Sequence, residues 1–142
     1  MLIRLIYASD AVTPWQGGDI EDLLAKARHF NARHDLTGAL AFNHQSFLQA
    51  LEGDRGVVSE LYSRLARDPR HRRLVLLAVD PIEERAFAQW SMAFAPADAA
   101  HRIAFLRHGV TSRFEPHQLS GPGALALLLE LTRQASPAPV SA

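Results

Sequence analysis

The sequence predicts an α+β fold in the order β-α-β-β-α-β-β, with further helices at the C-terminal end. Three observations carry this expectation. Residues 2–8, LIRLIYA, are apolar on both faces, as suits a strand covered on both sides. The stretches 20–34 and 54–68 repeat apolar residues at helical spacing. Between them, TGALAFN (37–43) and SFLQALEG (46–53) read as a hairpin with a short turn at His44 and Gln45.

In the first strand, Ile3, Leu5 and Tyr7 share one face and Ile6 and Ala8 the other. VTPWQGG (12–18) breaks the pattern as a loop, and Asp19 is placed to cap a helix whose apolar positions are Ile20, Leu23, Leu24, Ala27 and Phe30. The second helix turns Val57, Val58, Leu61 and Leu65 inward and is stopped at Asp68 by Pro69. RRLVLLAVD (72–80) is a strongly apolar strand, and RAFAQWSMAF (85–94) reads as a further one. This order is that of a ferredoxin-like sheet with two helices packed on one face.

Beyond Pro96 the composition changes. ADAAHRIAFLRHG and PGALALLLELTRQA predict two more helices, and SPAPVSA (136–142) reads as a disordered tail. The expected organisation is one domain over 1–95, a helical extension over 96–135 and the tail.

At 142 residues and 48% hydrophobic content, the chain is long enough to bury a core. Fifteen basic and fifteen acidic residues cancel, so no global field favours nucleic acid or a membrane surface. Without cysteine there is no disulfide, thiolate nucleophile or Cys-bound zinc. The N-terminal stretch is too short and polar-interrupted for a signal peptide, and no apolar run reaches spanning length, so a cytoplasmic protein is expected.

Catalytic signatures are missing: the sequence contains no G-x-G-x-x-G, G-x-x-x-x-G-K-[ST], G-x-S-x-G or H-E-x-x-H. Gly17-Gly18 reads as loop rather than anion cradle. His29 and His34 point to different sides of a helix and make no metal set. Glu83 and Glu84 sit in a turn as a solvated pair. RDPRHRR (67–73) is basic but lacks interleaved aromatics, which argues against RNA.

Three polar residues stand in apolar company. Asn31 projects from the buried face of the first helix, Tyr7 from an inner strand face, and Gln49 lies between Phe47 and Leu51 on one strand face. Two readings fit. These groups satisfy one another and the backbone, as buried polar groups do, or they address the edge of a flat polar ligand held between two helices and a sheet. Asn and Gln both donate and accept, which a ring bearing carbonyls and nitrogens requires.

Tyr7 and Ser9 in IYAS, then NARHDLTGAL (31–40), FLQALEG (47–53), RDPRH (67–71) and FAQWSM (87–92), occur in this order. Together, over residues 1–95, they resemble the BLUF family of flavin-using blue-light sensors. The resemblance implies a flavin, FAD by expectation with FMN or riboflavin as alternatives, standing between the two helices. It implies Tyr7 as the photoactive tyrosine and Gln49 as the glutamine between it and the flavin N5 and C4 carbonyl. Asn31 would bond the C4 carbonyl and N3 region, and Leu65 would pack on the ring. Asp68 and Arg70 would lie near its pyrimidine end with His71 beside them. Ser9, Trp90 and Met92 would relay the signal. Excited flavin is a strong oxidant, a tyrosine can supply an electron and then a proton, and a glutamine amide can rewire its bonds by rotation or tautomerisation. A stronger bond to the C4 carbonyl would shift absorption to the red. No substrate is turned over, so a sensor rather than an enzyme is expected.

Two positions depart from some members: Ala50 stands where a tryptophan can follow the glutamine, and Ala32 where a second asparagine can follow Asn31. Two other functions remain in view, a flavin-free interaction module and an acylphosphatase-like hydrolase, the latter poorly served by the VTPWQGG loop. Nothing after residue 95 reads as an effector domain, so output is expected through contact with an unidentified downstream protein. Leu125, Leu127, Leu128, Leu129 and Leu131 are too apolar around one helix to lie free in water. Residues 97–135 are therefore expected to cover the outer sheet face and join a homo-oligomer or partner contact.

Overall fold

The computed structural model describes residues 1–133 and the backbone of the pair Ala138–Pro139. β1 (Leu2–Ala11) runs through the middle of a sheet, between β3 (Ser46–Asp54) and β4 (His71–Pro81), antiparallel to both. That central place is why both its faces are apolar. β2 (Thr37–Phe42) pairs with β3, and β5 (Trp90–Pro96) lies parallel to β2. Two-residue β6 (Ala138–Pro139) completes the order β4-β1-β3-β2-β5-β6. The fold is the expected ferredoxin-like α+β sheet of five strands, with β6 added at the β5 edge.

Helices α1 (Asp19–Arg33) and α2 (Arg55–Ala66) cover the inner face, over a core of Leu5, Tyr7, Leu24, Leu40, Phe47, Leu51 and Val58. The outer face carries α3 (Arg102–His108) and α4 (Gly121–Thr132), each preceded by a short 3₁₀ turn. There Leu127, Leu128 and Leu131 meet Ile6, Ala41, Leu48, Ala50 and Ala93. The small residues on the strands let α4 lie close, and each buried leucine contributes roughly 1.5–3 kcal/mol. Ala50, one of the departures noted above, is fully buried in this layer. A tryptophan at that position would not fit beneath α4 without repacking.

Gly38 sets the spacing of the hairpin: a Cβ there would lie 2.1 Å from the Ala50 carbonyl oxygen. β2 can approach β3 this closely only without a side chain.

Several expected boundaries differ. Asp19 does not cap α1. Gly18 holds the cap position, and the Asp19 carboxylate accepts instead from the Gln16 amide at 3.0 Å. Asp54 does cap α2, accepting from Gly56 and Val57. The strand expected over 85–94 begins only at Trp90. The reason is Glu52, fully buried, whose carboxylate accepts from the Ala86 and Phe87 amides at 2.8 and 3.0 Å and pairs with Arg4 at 3.0 Å. This holds 86–87 as a loop across the end of β3. Of the tail expected to lack structure, Ala138–Pro139 pair with β5, and the remainder lies outside the described residues.

Candidate functional site: a cleft between the inner helices

The strand register fixes the floor of the site. Gln49 stands opposite Tyr7 on one side and Leu40 on the other. Above this row α1 and α2 do not close on each other, leaving a cleft of about 360 Å³. That lies within the roughly 300–1,000 Å³ of small-molecule sites. Leu23, Ala27 and Phe30 of α1 form one wall, and Leu61 and Leu65 of α2 the other. These apolar side chains are only half-buried although they sit on the inward faces of their helices. Such a gap between apolar walls suits a flat ring.

The Tyr7 hydroxyl donates to Gln49 Oε1. Gln49 Nε2 then faces Met92 Sδ at 3.6 Å, and a thioether is a weak acceptor. Asn31 Nδ2 donates to the Ser91 carbonyl oxygen at 2.7 Å, which leaves its amide oxygen as the group free to accept in the cleft. Arg28 Nε donates to the Met92 carbonyl oxygen at 3.0 Å, so α1 grips β5 at two successive residues.

Electrostatics keep the floor neutral and the rim charged. Burial pushes the Tyr7 phenol far above its ordinary value, with Tyr62 and Asp68 adding to the shift. Burial pulls His71 below the usual imidazole value against the opposing pull of Asp68. Its Nδ1 lies 3.1 Å from Ser9 Oγ. Asp68 is held below the usual carboxylate range by its hydrogen bonds from Arg70, which it meets at 2.8 Å.

Tyr7, Asn31, Gln49, Leu65, Asp68, Arg70 and His71 thus all line one cleft. Ser9 borders it through His71, and Met92 through Gln49. Trp90 does not join it: its indole packs beside Phe87 with the outer layer, 6.4 Å between ring centroids. No cluster of metal-ligating groups occurs among the described residues, and no described helix is long and apolar enough to cross a membrane.

The family model for sensors of blue-light using FAD matches residues 2–93. The chain belongs to the BLUF family. A structure of photo-activated BlsA superposes with a TM-score of 0.82 at 30% identity, covering 97% of this chain and 99% of that one. The dark-state structure of BlrB, a BLUF protein, gives 0.73 at 30% identity, covering 92% and 93%. Photoactivated adenylate cyclase subunit beta of Euglena longa is 35% identical over 95 residues, 66% of this chain. The chain spans only 11% of that cyclase subunit, and the likeness falls on the sensor region, so the cyclase name does not transfer. The matched region is a blue-light sensor domain of the BLUF kind.

FAD is the cofactor of the family, and the residues present fit it. The apolar walls suit its ring, and an under-bonded Gln49 nitrogen and an accepting Asn31 oxygen suit a ring edge of carbonyls and N–H groups. Asn31→Ala is expected to weaken FAD retention about ten- to hundredfold. It removes that acceptor and leaves the Ser91 carbonyl unpaired, a cost of roughly 1–3 kcal/mol. Titration of the variant with FAD, followed by flavin fluorescence, measures this.

Sequence reasoning missed Lys26, Phe30 and Arg64 as lining residues. A signal was present: Phe30 stands three residues after Ala27 and four after Lys26, and Arg64 three after Leu61, all at helical spacing.

Proposed function

We propose that this BLUF protein senses blue light through the Tyr7–Gln49 pair and reports it by contact with another protein chain. The observation that carries the proposal is the asymmetric bonding of Gln49, oxygen on a hydroxyl and nitrogen on a thioether. Bound FAD would supply a strong photo-oxidant at the cleft. Tyr7 would give up an electron and its hydroxyl proton and take both back, ending unchanged. Because Tyr7 stays protonated at any ordinary pH, that proton is always available. While it is away, Gln49 exchanges the ends of its amide, by rotation or tautomerisation. Tyr7 can meet either end, since a hydroxyl both donates and accepts. The Met92 contact would be lost and the Tyr7 bond reversed, with Gln49 donating to the phenol oxygen. The amide's remaining N–H would be free to donate to a ring carbonyl. Asn31 holds the ring in register through its oxygen and its second N–H, while Leu65 packs on the ring and Asp68, Arg70 and His71 close the polar end.

Met92 lies on β5, so a change at Gln49 reaches the strand that α1 grips and that carries Trp90 on its outer side. We assign the sensor to residues 1–95 and the output surface to 96–135. On that surface Ile103 and Leu106 are exposed three residues apart on α3, and Val110 just beyond it and Leu129 on α4 are exposed too. Their contact is with a second copy or a downstream protein.

Two measurements test this. FAD-loaded protein should show a small red shift of its flavin absorption in blue light that reverses in darkness. Failure to take up FAD would favour the flavin-free interaction module instead. Truncation after Pro96 should keep that photocycle but lower solubility or change the subunit number, because it strips the leucines of α4 from the outer face. A truncated protein that stays soluble with the subunit number of the full chain, by size-exclusion chromatography with light scattering, would rule out the contact with a second copy.

A further inference from the structure

Lys26 is the only lysine in the chain. It stands where two clefts meet. The ring cleft and a second one of about 390 Å³ share Asp22, Lys26 and Arg70. The second is bounded by Val12, Thr13 and Trp15 of the loop after β1, and by Asp19 and Pro69.

The charges at this junction are distributed unevenly. Arg70 is neutralised by Asp68 at 2.8 Å. Among the described residues, neither Lys26 nor Arg64 has a carboxylate partner at ion-pair distance. Arg64 reaches the ring cleft from the α2 side, its guanidinium 4.8 Å over the Phe30 ring. Lys26 of α1 and Arg64 of α2 thus line the ring cleft from its two helices without an ion pair, with Asp22 one turn before Lys26. The second cleft adds Asp19 to the shared Asp22, and these carboxylates repel an anion but accept from hydroxyl and amino groups. Arg70 lies over the buried Trp15 indole there, guanidinium 5.5 Å from the ring centroid, and its outer planar face is the flat surface offered to a base.

The junction therefore joins a slot for a flat ring to two cations free of ion pairs and to hydroxyl acceptors beside a planar guanidinium. We propose that Lys26, with Arg64 opposite, holds the flavin phosphate and directs the adenosine half of FAD into the second cleft. The proposal rests on the reading that the first cleft takes the flavin ring, and it goes further by selecting among flavins through residues outside the photoactive pair.

The test uses the full chain stripped of flavin and titrated with riboflavin, FMN and FAD. Wild type should bind FAD tighter than FMN, and FMN tighter than riboflavin. Lys26→Gln should lower FMN and FAD affinity about ten- to hundredfold, the scale of one charge-assisted hydrogen bond. Riboflavin affinity should not change, Lys26→Arg should restore most of the loss, and high salt should mimic it. Amine-selective labelling gives a second readout: FAD should slow modification of Lys26, and riboflavin should not. A Lys26→Gln protein that keeps the wild-type ratio of FAD to riboflavin affinity would overturn the phosphate role. Equal affinity for FMN and FAD would overturn the seat for adenosine. If wild type bound none of the three flavins, both this proposal and the sensor reading would fall.

Discussion

Tyr7→Phe retains bound FAD and abolishes the red-shifted state formed in blue light. The ring of Tyr7 is fully buried in the inner core and meets Tyr62 edge-on at 5.8 Å between centroids, so phenylalanine keeps the packing. What disappears is the only proton donor bonded to Gln49 Oε1 among the described residues. The unpaired oxygen costs roughly 1–3 kcal/mol, within the reach of a protein that still folds. No neighbour takes over the role, because Tyr62 lies on α2 and makes no bond to Gln49. Absorption spectra before and after illumination read the outcome directly, and a normal shift in this variant would remove Tyr7 from the mechanism.

Gln49→Leu is expected to have the same optical effect for a different reason. Leucine is similar in size and suits a position lined by Leu40 and Phe47. The variant should fold and keep FAD, at the cost of an unpartnered Tyr7 hydroxyl. The phenol and its proton remain, so electron supply to the excited ring persists and flavin fluorescence should stay quenched. Only the amide with two unlike ends is gone. Retained quenching together with complete loss of the red shift separates the two residues: Tyr7 supplies the proton and Gln49 holds the change.

The parts of this site legible in the sequence were those set by strand alternation and helical spacing. Tyr7, Gln49 and Asn31 declared themselves as polar residues on apolar faces, and the central strand by being apolar on both. Cross-strand and tertiary contacts were not legible. Glu52 drew no reading of its own near the end of the strand expected over 46–53, yet it is buried and delays the start of β5 by holding the Ala86 and Phe87 amides. The side taken by Trp90 could not follow from its two-residue spacing to Met92, because the β5–β6 register shifts between them. Asp19 was placed one residue late for a cap, a choice between Gly18 and Asp19 settled by the turn at Gln16. Lys26 stood out only as a composition oddity until the two clefts met beside it.

The central claim is that light moves the Gln49 amide so that it donates to the carbonyl at the ring edge. Light-minus-dark infrared difference spectroscopy of the FAD-loaded protein measures that bond through the flavin C4 carbonyl stretch. A lowered stretching frequency in wild type that recovers in darkness, and is absent in Gln49→Leu, is the result expected. An unchanged frequency in wild type, or the same lowering in Gln49→Leu, would contradict the account.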